Sequence, residues 1–175
     1  EKIANASIIT MLRDPKDRFL SFYYYLREKF AAGENSRRSR LANRYDLDEF
    51  VYLMDDPDLV DDLLNSVTWQ LAYGTRQLER LSFRMEATKS DDDLLNAAIA
   101  NLNRCALVGF QDGYSDFANK FEQLYSIPLT IRRENVTKSR LSVTDVSART
   151  LRKIDDWVYL DSEVYRYALR VFRIK

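Results

Sequence analysis

The stretch Met11-Leu12-Arg13-Asp14-Pro15-Lys16-Asp17-Arg18-Phe19-Leu20-Ser21-Phe22-Tyr23-Tyr24-Tyr25-Leu26-Arg27 decides how this chain is read. It is preceded by an apolar run, Ile3 to Leu12, with Ile8, Ile9, Met11 and Leu12 at its centre, which predicts a short buried strand. Asp14 then stands where a helix N-cap belongs, Pro15 at the first helical position, and Asp17 three residues after the cap, as in an acidic capping box. The helix is expected to run to about Phe30 and to stop before Gly33, with Leu20, Tyr23, Tyr24 and Leu26 supplying apolar surface. A helix N-terminus offers backbone amide donors and the positive end of the helix dipole. Arg13 adds a forked, charged donor set at that junction, and the Ser21 hydroxyl lies two turns in, on the side of Arg18. Together these residues describe a site for a phosphate or sulfate group. The same arginines equally suit scaffold ion pairs with Asp14, Asp17 or Glu28.

Working outward, residues 34–44 are polar, with Arg37, Arg38, Arg40 and Arg44, and read as a loop. Residues 45–65 hold eight acidic residues and no basic one; Asp46 opens a helix and Pro57 restarts it. Such a run reads first as a solvated face, and second as a surface for a cation or a basic partner. Residues 66–73, with Trp69, Gln70, Leu71 and Tyr73, predict a helix ending at Gly74. Ser90 with Asp93 forms a second capping box before a helix from Leu94 to Ala106, with Leu95, Ala98, Ile99 and Leu102 facing the core. Leu107 to Phe110 is a very short strand. Asp112 to Tyr125 is again helical, with Phe117, Phe121 and Leu124 in line and Pro128 as terminator. Residues 129–141 read as a basic loop or short strand. Ser142 with Asp145 gives a third capping box opening a helix through Leu151 and Ile154, and Asp161 or Ser162 caps a last one to about Phe172.

Composition narrows the chemistry. The 175 residues carry 27 Lys and Arg against 27 Asp and Glu, so no global charge favours nucleic acid. The zero hides a polarised chain, because residues 132–153 hold seven basic residues against two acidic ones. Histidine is absent, which removes Ser-His-Asp, Cys-His and histidine–metal sites together. The single Cys105 excludes an intrachain disulfide and a zinc–cysteine cluster, and its apolar helical context reads as packing. Four glycines, Gly33, Gly74, Gly109 and Gly113, cannot be arranged into a glycine-rich phosphate loop. No run of eighteen apolar residues is present, and no signal peptide is expected.

The quoted stretch resembles the 3′-phosphate-binding segment of sulfotransferases that use 3′-phosphoadenosine 5′-phosphosulfate (PAPS), above all the carbohydrate enzymes of the heparan 2-O-sulfotransferase group, in which a run of tyrosines follows the serine. The resemblance implies that Arg13 and Ser21 hold the 3′-phosphate and that Arg18 supports the site. It continues through Ser66 to Gly74, through Leu107-Val108-Gly109-Phe110-Gln111-Asp112, and through Asp155 or Asp156, Asp161, Tyr165 and Phe172. It implies a three-layer α/β fold of the P-loop nucleotide-kinase type, represented here by a predominantly helical segment with few short strands. It also implies a single sulfotransferase domain segment over residues 1–175. The implied partners are the nucleotide donor PAPS and a hydroxylated small-molecule or glycan acceptor, without metal, nucleic acid or a membrane segment.

The family's lysine-containing phosphosulfate loop lies upstream of the Arg-Asp-Pro strand, and the twelve residues before Arg13 do not form it. The chain is therefore expected to be the C-terminal portion of a longer enzyme, with a degenerate copy as the other possibility. Arg132, Arg133, Lys138 and Arg140 are candidates to close over the nucleotide or meet an acidic glycan, or else form a solvated loop. Glu86, Glu122 and Glu134 are acid–base candidates that sequence does not rank. Gln70, Trp69 and Tyr73 suit an acceptor pocket or the core equally. Two other functions fit the same residues: an inactive nucleotide-binding scaffold, and a helical interaction module using the acidic 45–65 face. One unpaired cysteine favours a bacterial, cytoplasmic setting, with the Golgi lumen as the setting for an animal member.

Overall fold

The computed structural model describes residues 7–74, 90–130 and 141–173. Two short strands, β1 (Ile9–Leu12) and β2 (Leu107–Phe110), pair in parallel with Leu12 opposite Phe110. All four residues of β2 are buried, as a parallel strand covered on both faces requires. In β1 only Leu12 is buried; Ile8 and Ile9 are exposed, so the core end of this strand is its carboxyl end rather than the expected centre.

Helix α1 (Pro15–Ala31) starts as the sequence predicts: the Asp14 carboxylate accepts from the Asp17 amide at 2.9 Å and Pro15 fills the first turn. It stops before Gly33, whose φ of +94° suits glycine. Helix α2 (Arg37–Arg44) replaces the expected loop. Ser36 caps it, Ser39 and Ala42 are buried beneath it, and its arginines reach the acidic run, Arg37 to Asp56 at 2.7 Å and Arg38 to Asp62. A polar stretch thus folds because its charges meet partners up to some two dozen residues away, which local hydropathy does not register.

The acidic run forms α3 (Leu47–Phe50), capped reciprocally by Asp46 and Glu49, and α4 (Pro57–Leu63), capped by Asp56. Helix α5 (Ser66–Tyr73) follows, then α6 (Asp91–Leu102), which the Ser90–Asp93 box starts but which ends four residues earlier than expected. After β2 a 3-10 turn (Gln111–Gly113) leads into α7 (Tyr114–Tyr125), which ends at the expected residue with Ser126 in the left-handed region; Leu124 is exposed, off the core line. The Ser142–Asp145 box is present but opens only a 3-10 turn (Val143–Asp145); the helix proper, α8 (Ala148–Trp157), is capped by Ser147, and α9 (Tyr159–Phe172) closes the described chain.

Two apolar clusters hold these elements. One gathers Phe19, Tyr23, Phe50 and Trp157, with Phe19 and Trp157 ring centres 5.9 Å apart and the Trp157 indole donating to the Val51 carbonyl at 2.9 Å. The other gathers Leu12, Ala98, Leu102, Phe110, Val164 and Ala168 around the strand pair. The described residues are thus predominantly helical around a small parallel sheet, and none of their helices is long and apolar enough to cross a membrane.

Gly109 lets α7 lie against β2: a β-carbon there would overlap the Phe117 ring and come within 3.1 Å of Met11 Sδ. Gly109→Ala is expected to lower stability by about 1–3 kcal/mol in urea unfolding, since the buried Phe117 must move. A second check concerns the α6–α9 contact. The Tyr159 phenol donates to Asp91 at 2.9 Å, and partial burial, then the Asp91 hydrogen bond and charge, push its pKa up to about 12. A raised phenol pKa favours the neutral form in the folded state. Its stabilising contribution is therefore complete below pH 10.0 and lost as pH rises toward about 12. Ultraviolet titration of tyrosine ionisation is expected to lose its latest phase in Tyr159→Phe.

Candidate functional site at the carboxyl ends of the strands

Leu12 and Phe110 are partners at the end of the parallel ladder, so the segments leaving both strands emerge on one edge. In open α/β sheets this is the edge where ligands bind. From β1 come Arg13 and the N-terminus of α1; from β2 come Gln111 and Asp112. Helix α9 adds two groups. Tyr165 meets the Phe110 ring edge-on at 5.9 Å, and Arg173, just past the end of α9, stands over the same ring at 5.7 Å while pairing with Asp112 at 2.7 Å.

Arg13 is held by Asp17, with Nε to Oδ2 at 2.6 Å and a second contact at 2.5 Å. The capping box is consequently half formed: Asp14 serves the Asp17 amide, but the Asp17 carboxylate turns to Arg13 rather than back to the cap. Ser21 lies one helical turn beyond Asp17 and three residues after Arg18, on a face of α1 shared with both, and Arg13, which precedes the Asp14 cap, reaches that face through Asp17. Arg13 is thus engaged by a carboxylate one turn before Ser21. Lys16, also in the first turn, pairs with Asp155 of α8 at 2.8 Å, which fastens α1 to the closing helices.

Arg18 reaches α5. It donates to Ser66 Oγ at the start of α5 and acts on the buried carboxylate of Asp161. Asp161 sits inside the first turn of α9, not at its cap as the sequence suggested. Its oxygens accept from the Thr68 amide and hydroxyl, both at 2.7 Å, and from the Val67 amide at 3.2 Å, so it caps α5 instead. Asn65, just before α5, returns the arrangement: its Oδ1 accepts from the Leu160 amide at 2.8 Å and the Asp161 amide at 3.4 Å. Asn65 does this with φ +48°, a left-handed conformation that asparagine tolerates. Burial pushes the Asp161 carboxyl above its ordinary value, against the lowering by Thr68, Val67 and Arg18.

The remaining candidates separate clearly. Arg132, Arg133, Lys138, Arg140, Glu86 and Glu134 lie outside the described residues. Glu122 is exposed on α7. Trp69 packs on Tyr73 with ring centres 5.7 Å apart and borders the second apolar cluster. The tyrosine run divides between core and surface: Tyr23 is buried, Tyr24 half-buried, and Tyr25 exposed under Lys29. Cys105 is half-buried and its thiol is pushed up by burial, the condition of a packing residue rather than a thiolate. Arg173 went unread in the sequence because nothing local marks it; only the return of α9 to the strand ends brings it there. The Tyr165 phenol is also raised, first by burial and then by Asp112 and Asp14, so it titrates within the field of this edge.

A match to the Sulfotransferase family extends over residues 1–168, and the chain belongs to that family. No curated protein and no solved structure matches it.

The Asn65–Asp161 clamp makes a stability prediction. Asn65→Ala leaves two amides of α9 without their acceptor and places alanine at a positive φ, and is expected to cost about 2 kcal/mol in chemical unfolding. Asn65→Gly keeps the backbone but not the cap, and is expected to recover only the conformational part.

Proposed function

We propose that this chain is the nucleotide-anchoring segment of a PAPS-dependent sulfotransferase that transfers a sulfuryl group to a hydroxyl of a carbohydrate or other hydroxylated acceptor. The observation that carries the reading is Arg13 before the capped start of α1, with Ser21 two turns in, at the carboxyl edge of a parallel strand pair, in a chain of this family. The donor chemistry of these residues fits a phosphomonoester. Arg13 offers a guanidinium fork, Ser21 a hydroxyl, and the first turn of α1 a positive dipole end. The Asp17 carboxylate that holds Arg13 presents anionic oxygens as one edge of a tetrahedral phosphate does, and it keeps the fork oriented until a more highly charged anion competes.

PAPS, when bound, supplies the activated sulfuryl group and leaves as adenosine 3′,5′-bisphosphate. The role of Arg13 and Ser21 is to hold the 3′-phosphate far from the reacting sulfur, which orients the nucleotide rather than assists bond cleavage. Arg18 supports them from beneath. Arg133, Lys138 and Arg140 are proposed to meet the nucleotide or an anionic acceptor from the basic stretch. The tyrosine run after Ser21 favours a carbohydrate acceptor, and residues 1–175 are read as one domain segment of the three-layer, nucleotide-kinase-like α/β fold, in a bacterial cytoplasmic protein. The acidic-face interaction module loses ground, because Asp56, Asp58 and Asp62 already meet the arginines of α2.

Calorimetric titration with adenosine 3′,5′-bisphosphate tests the reading. Arg13→Ala is expected to weaken binding by roughly 10- to 100-fold, the worth of a charged hydrogen-bonded contact, and Ser21→Ala by about fivefold. Adenosine 5′-monophosphate is expected to bind both variants as it binds the parent. Binding that ignores the 3′-phosphate, or that survives both substitutions, overturns the assignment.

A further inference from the structure

A cavity of about 780 Å³ lies between the second half of α1, the junction of α2 with α3, and the start of α8. Its size falls within the roughly 300–1,000 Å³ of small-molecule sites. Arg13, Arg18 and Ser21 do not line it, so it is separate from the residues assigned to the nucleotide. Its floor is tied together from within. Tyr23 and Val146 are buried there. The Tyr23 hydroxyl donates to the Tyr45 carbonyl at 3.0 Å and accepts from Arg27 at 2.9 Å. Arg27 also donates to the Ala42 carbonyl at 3.2 Å, so it braces α1 against α2.

Three carboxylates on the walls are each fixed through one oxygen. Asp46 Oδ1 accepts from the Glu49 amide at 3.0 Å, Asp145 Oδ2 from the Ser142 amide at 3.0 Å, and Asp48 Oδ1 from the Thr150 hydroxyl. The second oxygen of each makes no hydrogen bond or ion pair among the described residues. Nor, among the described residues, do three such groups converge closely enough to share one metal ion. The open acceptors are therefore spread along the cavity, and they suit a ligand with several separated donors rather than a point cation. Two further groups complete the lining. The half-buried Tyr24 ring stands edge-on to Tyr23 with centres 5.1 Å apart, and Asn43 is exposed at the end of α2. Among the described residues neither the Tyr24 hydroxyl nor the Asn43 amide has a hydrogen bond. An aromatic ring beside an amide and separated carboxylate oxygens is the donor and acceptor set that holds a sugar. The ring covers its C–H face, and the carboxylates accept from its hydroxyls with charge-assisted strength. The same unneutralised carboxylates reject a sulfate or a uronate.

We propose that this cavity binds a short oligosaccharide without acidic groups, with Tyr24 packing on a sugar face and Asn43, Asp46, Asp48 and Asp145 bonded to its hydroxyls. The inference goes beyond the nucleotide reading and does not depend on it, since no residue is shared between the two sites.

The test is calorimetric titration of the full chain with neutral tetramers of glucose, galactose and N-acetylglucosamine, each beside its monosaccharide. A heparin-derived tetrasaccharide and spermine serve as charged probes. At least one neutral tetramer is expected to bind, about tenfold more tightly than its monosaccharide, because only the longer chain reaches the separated oxygens. The heparin tetrasaccharide is expected not to displace it. Tyr24→Ala is expected to weaken binding by about tenfold and Asn43→Ala by about fivefold. Asn43 is exposed and makes no fold hydrogen bond among the described residues, so its variant reads the site where Tyr24→Ala fails to fold. Tyr25→Ala, an exposed tyrosine outside the cavity, is expected to bind as the parent does. Four outcomes overturn the proposal: no neutral tetramer binds, the heparin tetrasaccharide displaces the neutral one, spermine binds where no sugar does, or the bound tetramer ignores both Tyr24→Ala and Asn43→Ala. Each leaves the assignment of Arg13 and Ser21 standing, because titration with adenosine 3′,5′-bisphosphate reads that site alone.

Discussion

The exchange of caps between Asn65 and Asp161 is the contact from which the positions of the other elements follow. Each residue sits at the start of one helix and satisfies the free amides of the other, α5 and α9. The two helices are nearly a hundred residues apart in the chain, and both carry side chains of the apolar cluster around the strands. The Asn65 amide adds a third bond across the junction, to the Trp157 carbonyl at 2.8 Å, and so ties this polar clamp to the indole at the centre of the other apolar cluster. A buried carboxylate is costly unless its lone pairs are filled. Here the Val67 amide and the Thr68 amide and hydroxyl fill them, so the cost becomes geometric specificity.

The edge of the sheet inherits its composition from that clamp. With α9 fixed at its start by Asn65, its later turns fall across β2, and Tyr165 and Arg173 arrive over Phe110. Arg18 is drawn to α5, while Arg13 stays with Asp17.

Charge sorting runs through the rest of the chain in the same way. The acidic run and the arginine-rich stretch before it look like two solvated segments when read separately. In the fold they are one interface, with Arg37 and Arg38 on Asp56 and Asp62. The basic residues of α8 meet the same region through an aromatic ring, with Arg149 donating to the Tyr52 hydroxyl at 3.0 Å and Lys153 standing over its face at 5.5 Å. Exposed pairs of this kind contribute little stability singly. Their effect is to set which surface of α2 faces inward.

The sequence by itself determined what depends on neighbours a few residues apart. The strand followed by Asp14 and Pro15, the stop before Gly33, the reciprocal box at Ser90 and Asp93, and the short strand Leu107–Phe110 all rest on contacts within one turn or on an unbroken apolar run. The place of Arg13, between the carboxyl end of β1 and the capped start of α1, was legible for the same reason. Tertiary structure alone decided where distant partners met. It made α2 a helix, turned the Ser142 box into a 3-10 turn, and moved Asp161 from the cap of its own helix to the cap of another. It also delivered Arg173 to the strand ends. Each of these outcomes depends on a partner tens of residues away, and a hydrogen bond or ion pair across that separation has no periodicity along the chain by which it can be read.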